Sequence, residues 1–442
     1  MKMITLVAAL LVSATTFAAR PKFDSAHTVA LDGTITDGKI VTSYPNSWSV
    51  KREIKEQLLY SIGQLNGLDG GSPDMNRLEI SVGQSRQLEN GLYEVTYAAK
   101  LFIAWPLSVG VPRSYNLLVP ARGDYASLEK FFKAYGSDEN STKKCLAWEA
   151  HDVSSAMFWY YYRPNKYSCP LNTMNTEESE LVKTIQIQLA KSDKNTTGKF
   201  PEYGKIWEDN KLVSTLIFGK AEENAQTEYD AGVKAYKDTV NALLKKFGKP
   251  VTTNVEFKYN TYYRQFMLDT ALTNPTVEMT FDLGEGKTLD VALFLIEGIR
   301  VAGYDFVEKY NQRTLNSDYI SYSGHSGLGA NIRALAGMGE FEKDQYQIFL
   351  INGCDTFAYV DDALRNAHAA VNPGFGKDKF VDVITNAMPS YFHMNQRSNM
   401  TIINALVEQT KTYKQILAGF DVNQRAVVTG EEDNKWPESF LE

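Results

Sequence analysis

The sequence predicts an α/β fold, a mainly parallel sheet covered by helices on both faces, preceded by an α+β domain. Three observations predict it. Beyond Pro201, apolar strand-like runs alternate with amphipathic helical stretches, the pattern of parallel strands joined by helical crossovers. Before Pro201, segments rich in β-branched and aromatic residues dominate and helical stretches are few. The chain has 442 residues, long for a single hydrophobic core, so two domains are expected, 19–200 and 201–442.

The elements follow in order. In the first part, 77–82, 92–105 and 114–119 read as strands, 49–65 and 125–135 as helices, and the Gly- and Asp-rich stretch 66–72 as a turn. In the second part, 211–220 is a compact apolar run, Leu212 to Phe218, ending in Gly219, and reads as a buried strand. A helix follows in which Val233, Tyr236, Val240, Leu243, Leu244 and Phe247 recur at helical spacing. Gly248 stands at the C′ position and Pro250 just beyond. Strands are expected at 253–258, 277–283, 318–323, 345–351 and 380–385. Helices are expected over most of 289–312, where 291–296 alone also fits a strand, and at 330–338, 359–370 and 399–417. An acidic tail after Asn423 is the one stretch whose composition suggests disorder.

The first residues point to export. Lys2 precedes an apolar run from Ile4 to Val12, and small residues lead to Ala18, where cleavage is expected, so that 1–18 forms a signal peptide. That run is too short to cross a hydrocarbon core, which needs roughly twenty residues. The mature chain is expected to be free of the membrane, in the periplasm or outside the cell. Removing Lys2 takes the formal charge of −7 one unit lower, and an acidic surface argues against nucleic acid as a partner. Of three cysteines, Cys145 and Cys169 flank an aromatic run and are expected to form a disulfide, which leaves Cys354 as a free thiol in an oxidising compartment.

Two expected strands end in reactive groups. One leads through Ser323 and Gly324 to His325, Ser326 and Gly327. The other leads through Asn352 and Gly353 to Cys354 and Asp355. If the strands are parallel neighbours, both side chains emerge at their carboxyl ends, where such folds bind ligands. An imidazole beside a thiol favours the thiolate and later protonates a leaving group. Gly324, Gly327 and Gly353 leave room for a substrate backbone, and the backbone N–H groups around Ser326, Gly327 and Cys354 are candidates for an oxyanion hole.

At these residues the chain resembles the caspase-like cysteine peptidases, the superfamily of caspases, metacaspases, gingipains, clostripain and CHAT-domain proteases. Tyr322-Ser323-Gly324-His325 is similar to the metacaspase histidine motif, although Ser326 stands where Gly commonly follows the histidine. The apolar run Ile348 to Ile351 leading into Asn352-Gly353-Cys354 is similar to the superfamily's strand before its cysteine. The resemblance implies a caspase-like three-layer sandwich over the second domain. It also implies hydrolysis of a peptide or protein substrate, with His325 as base and acid and Cys354 as nucleophile. No cofactor is expected, and no metal, because His325 with Asp355, Asp361 and Asp362 lacks the closely spaced ligand pairs of a zinc site. Superfamily members often read one charged side chain beside the scissile bond, so Asp355, Asp361 or Asp362 are candidates to receive a basic residue.

Two other readings use the same residues. Gly324-His325-Ser326 resembles the start of a nucleophile elbow with Ser326 as nucleophile and His368 or His393 as base, but Leu328 occupies the position of the second glycine. Alternatively, His325 and Cys354 are core residues of a non-catalytic exported binding or surface module with the same fold.

Overall fold

The computed structural model describes residues 21–68, 70–137 and 143–430. The expected leader 1–18 lies outside the described residues. Among them, no helix is long and apolar enough to cross a membrane.

A nine-stranded mixed sheet organises the second part of the chain. Its centre is five parallel strands, in spatial order Val381–Asn386, Gln347–Asn352, Tyr319–Ser323, Lys211–Gly219 and Lys287–Ile296. Antiparallel strands flank them. Ala426–Gly430 and then Lys22–Asp24 lie on one side, and Thr276–Gly284 and then Thr252–Thr253 on the other.

Successive residues of each central strand enter different cores. Leu216, Phe218, Ile348 and Leu350 join a cluster with the helices Ala231–Phe247 and Asn395–Glu408. Ile217, Phe349 and Ile351 join another with Tyr304–Thr314, Ala330–Ala336 and Ala363–Val371. Both faces are therefore covered, giving three layers. Burying each such side chain contributes roughly 1.5–3 kcal/mol. The helix Ala231–Phe247 begins and ends as its sequence predicts. Asp230 accepts hydrogen bonds from the N–H groups of Gly232 and Val233, and Gly248 stops it with φ 83°.

The first part is a five-stranded antiparallel sheet, in order Ser72–Gln87, Tyr93–Pro106, Thr28–Thr42, Val182–Lys191 and Ser114–Pro120. The helix Ser47–Leu68 packs on it, its Ile54, Leu58 and Leu65 sharing a core with Leu31, Leu101 and Leu117. Cys145 and Cys169 form the expected disulfide, with Cα atoms 4.5 Å apart. The stapled segment carries the short helix Phe158–Tyr161 against Ser47–Leu68. Gly63 makes that approach possible, because a Cβ there would collide with the carbonyl oxygen of Trp159.

The structure departs from the sequence expectations in several places. The strand expected at 253–258 is reduced to Thr252–Thr253 at the edge of the large sheet, with Lys258–Asn260 pairing instead with Gln265–Met267. Most of 289–312 was expected to be helical, yet Lys287–Ile296 is a strand and the helix is Tyr304–Thr314. A strand buried on both faces is apolar on both, so it lacks the alternation that marks a half-buried strand. The helix expected at 399–417 is two, Asn395–Glu408 and Tyr413–Leu417, broken at Gln409 with φ 58°. The segment after Asn423, expected to be disordered, includes a strand of the large sheet, Ala426–Gly430. Finally, Lys22–Asp24 pairs with that strand, so the chain's first described strand belongs to the second sheet and not to the division at 200. Phe23, Phe102 and Phe357 meet in a small core at the seam between the two parts.

Candidate active site

The strands Tyr319–Ser323 and Gln347–Asn352 are adjacent and parallel, with Ser323 in register with Asn352. Each chain then runs two residues further, to His325 and to Cys354. The Gly324 N–H donates to the Asn352 carbonyl at 3.2 Å, which extends the ladder one step past the strands. The glycine at 353 has a packing reason. A Cβ there would lie 2.9 Å from the Gly324 oxygen and 3.2 Å from the Ser326 nitrogen, so the two loops approach this closely only because it is absent.

His325 is exposed, and its Nε2 lies 2.9 Å from the carbonyl oxygen of Ala221, just past the neighbouring strand Lys211–Gly219. A carbonyl only accepts, so Nε2 carries the proton and Nδ1 holds the lone pair, the tautomer that can take a proton from a thiol. The imidazole also packs edge-on to Phe392, with ring centroids 5.1 Å apart. Ala221 is held in turn by the Asp230 carboxylate, which accepts from its N–H at 3.1 Å. The His325 carbonyl accepts from Tyr322 Oη and from Asn331 Nδ2, each at 2.8 Å. Imidazole and loop are thus both oriented by fixed partners.

Cys354 is partly buried, and its Sγ donates weakly to the Ser390 carbonyl at 3.5 Å. Burial first, and then the adjacent Asp355 charge, push its thiol up to about 11. His325 and Cys354 line one cavity of about 150 Å³, with Gly324, Ser390, Tyr391 and Phe392 among its walls. A larger hollow of about 370 Å³ lies in the first part, between Val41, Leu92, Arg122 and Leu181, but no thiol or imidazole lines it. Chemistry therefore favours the smaller cavity.

Below the thiol lies a buried polar network. The Asn352 Oδ1 accepts from Asn386 Nδ2, Ser390 Oγ and Gln424 Nε2, and its Nδ2 donates to Asn395. The Asn352 side chain is thus held by four partners, which suits a support for the loop that carries Cys354. The sequence reading missed Asn352 as its hub, and missed the wall 390–392. The one signal available was the placement of Pro389, Ser390 and two aromatics directly beyond an apolar strand.

Other expected site residues lie elsewhere or do other work. Asp355 does not face the cavity. It is fully buried, and its carboxylate is taken by Asn66 and Tyr160, so it cannot receive a substrate's basic side chain. Asp361 accepts from the Ala363 N–H, and Asp362 pairs with Arg77 and Lys377. The Gly324 N–H, committed to Asn352, is withdrawn from the oxyanion set. Gly327 adopts φ 58° in the turn that leads to Ala330–Ala336, beside the Asn331 side chain, and does not line the cavity. Ser326 is buried outside the cavity lining, and its carbonyl accepts from the N–H groups of Gly329 and Asn331. His368 sits in an apolar core against Phe341 and Phe349, and burial pushes its imidazole down to about 4. His393 stacks on Tyr391. Among the described residues, no group of three or more His, Cys, Asp or Glu side chains is placed to hold a metal ion.

Fold and site together define an α/β protein that presents a cysteine and a histidine at the carboxyl edge of a parallel sheet. No protein-family model matches the chain, and neither a curated protein nor a solved structure is significantly similar to it.

Proposed function

We propose that this chain is an exported cysteine peptidase with a caspase-like α/β domain, in which Cys354 is the nucleophile and His325 the base and acid. One observation carries the reading. Two neighbouring parallel strands end level with each other, and each delivers one member of the pair, two residues on, into the wall of a common cavity. The superfamily that the sequence resembles places its histidine after one apolar strand and its cysteine after the next. The disulfide and the expected leader support work outside the cytoplasm.

In this mechanism the thiol passes its proton to Nδ1 of His325, and the sulfur bonds to the substrate's carbonyl carbon. The tetrahedral adduct expels the amine, which takes the proton from His325, and leaves a thioester on Cys354. Water, deprotonated by His325, then hydrolyses the thioester and restores the thiol. With its pKa near 11 the resting thiol is neutral, so proton transfer accompanies attack instead of preceding it. None of the described residues lining the cavity is Asp, Glu, Lys or Arg. This supports a substrate with a neutral side chain next to the scissile bond.

The test is labelling of the folded protein with acyloxymethyl ketone probes bearing neutral, basic or acidic side chains. The neutral probe should label wild type fastest, and labelling should vanish in Cys354→Ala and in His325→Ala. Persistent labelling of either variant at the wild-type rate removes the dyad. The rival reading as a non-catalytic binding module draws on the raised thiol pKa, and a wild type inert to every probe would favour it.

A further inference from the structure

The residue after Cys354 is held by the other half of the molecule. Asp355 sits in the left-handed region with φ 51°, a conformation that Asp tolerates better than most residues. Its Oδ1 accepts from Asn66 Nδ2 at 2.6 Å and its Oδ2 from Tyr160 Oη at 2.8 Å, partners 289 and 195 residues away in sequence.

Both donors are themselves fixed. Asn66 lies in the last turn of the helix Ser47–Leu68, and Tyr160 lies in the segment stapled by Cys145–Cys169. Arg163 ties these two elements together, donating through one nitrogen to the carbonyls of Gly63, Tyr160 and Tyr162. On the far side of the turn, the Tyr359 ring meets Trp159 edge-on, with centroids 6.3 Å apart. The turn that aims the thiol is therefore held by both parts of the chain.

We propose that Asn66 and Tyr160 are positioning residues that act on Cys354 through Asp355, making the first part of the chain an integral component of the reactive site. This rests on the reading of Cys354 as the nucleophile. The groups whose charge bears on the thiol are Asp355, Tyr160, Tyr161 and Tyr359, with Arg163 beyond Asp355, Glu149 against Arg163, and His325 across the cavity. Two of them act in opposite senses. The Asp355 charge raises the thiol pKa, and Tyr160, whose hydroxyl donates to that carboxylate, lowers it.

The experiment uses the full chain, in which Cys354 is the one cysteine outside the disulfide. The rate of its alkylation by iodoacetamide is followed by mass spectrometry from neutral to alkaline pH. Asp355→Asn should move the profile to lower pH and Tyr160→Phe to higher pH. A shift of one unit would be roughly a tenfold change in thiolate fraction at a fixed pH below the midpoint. Asp355, at about 6, is ionised across this range, so Asn66→Ala removes a donor that partly offsets its charge and should shift the profile in the same sense as Tyr160→Phe, and add nothing in the Asp355→Asn background. Unchanged profiles would overturn the proposal. So would shifts of Asp355→Asn and Tyr160→Phe in one direction, the pattern of a turn that has only loosened. The alkylation profile needs no peptidase activity. Unmoved profiles with dyad-dependent probe labelling would sink this inference alone, and moved profiles in a protein inert to the probes would sink the peptidase reading alone.

Discussion

Two buried carboxylates of the parallel sheet, Asp382 inside a strand near its amino end and Asp355 in the turn beyond its carboxyl end, are held differently. At the amino end, Asp382 lies near the start of its strand with Lys199 Nζ at 2.5 Å, and it also accepts from Tyr346 Oη at 2.5 Å and Tyr413 Oη at 2.8 Å. At the carboxyl end, Asp355 accepts only from neutral donors, Asn66 and Tyr160, with the Arg163 charge acting from further away. Burial accordingly pushes Asp355 up to about 6. A contacting ammonium offsets the burial of one carboxylate, and the other, without one, is raised by burial beside the thiol. The first arrangement serves the fold, and the second suits a site whose electrostatics must respond.

The sharpest way to break this comparison is at the amino end. Lys199→Met leaves the Asp382 charge buried with two phenols and no contacting ammonium. Removing one partner of a buried pair costs about 3–5 kcal/mol, read as a fall in the urea midpoint at constant slope. Adding Asp382→Asn should recover much of the loss. A cost below about 1 kcal/mol, the range of an exposed pair, would mean that the phenols alone satisfy Asp382, and the contrast between the ends would collapse.

A smaller effect tests the carboxyl end. The Asp355 pKa is higher in the fold, at about 6, than its usual 3.8, so the folded protein binds the proton more tightly than the unfolded chain. Its contribution is therefore most favourable below the unfolded pKa and declines as pH rises through the folded one. Over that window the loss approaches about 3 kcal/mol, at 1.36 kcal/mol per unit. Asp24, raised to about 6, and Asp318, raised to about 8, act in the same direction. The informative quantity is thus wild type minus Asp355→Asn, in which their terms cancel. Denaturation of both proteins from pH 4 to pH 7 should show wild type losing more stability as pH rises. Parallel curves would mean that Asp355 is not held as a strained carboxylate.

The two ends also differ in how far they could be read from the sequence. The strands that place His325 and Cys354 were legible because burial on both faces makes them short apolar runs with glycine at their exits. The same double burial disguised Lys287–Ile296 as a helix. Thr28–Thr42 escaped notice because Asp32, Gly33, Asp37, Gly38 and Lys39 interrupt it, with an irregularity in pairing between Ile35 and Gly38. The placement of His325 and Cys354 at one edge was legible because their order and glycines are local. The partners of Asp355 were not, because hydrogen bonds spanning 195 and 289 residues leave no local pattern. An aspartate beside a cysteine then reads as a substrate ligand, when its burial assigns it to the support of the turn.

The smallest expected effect concerns Ser326, which separates the two hydrolase chemistries at the same edge. Its backbone braces the turn between His325 and the helix Ala330–Ala336, and its carbonyl, unaffected by substitution of the side chain, makes the two bonds that hold that turn. The hydroxyl lies outside the cavity lining, and the candidate base His368 is locked in an apolar core. Ser326→Ala should therefore leave both the probe-labelling rate and the iodoacetamide profile of Cys354 unchanged, while a fluorophosphonate should fail to label wild type. Fluorophosphonate labelling that disappears in Ser326→Ala would transfer the nucleophile from the cysteine strand to the histidine loop, and the poised carboxylate beside Cys354 would then need another explanation.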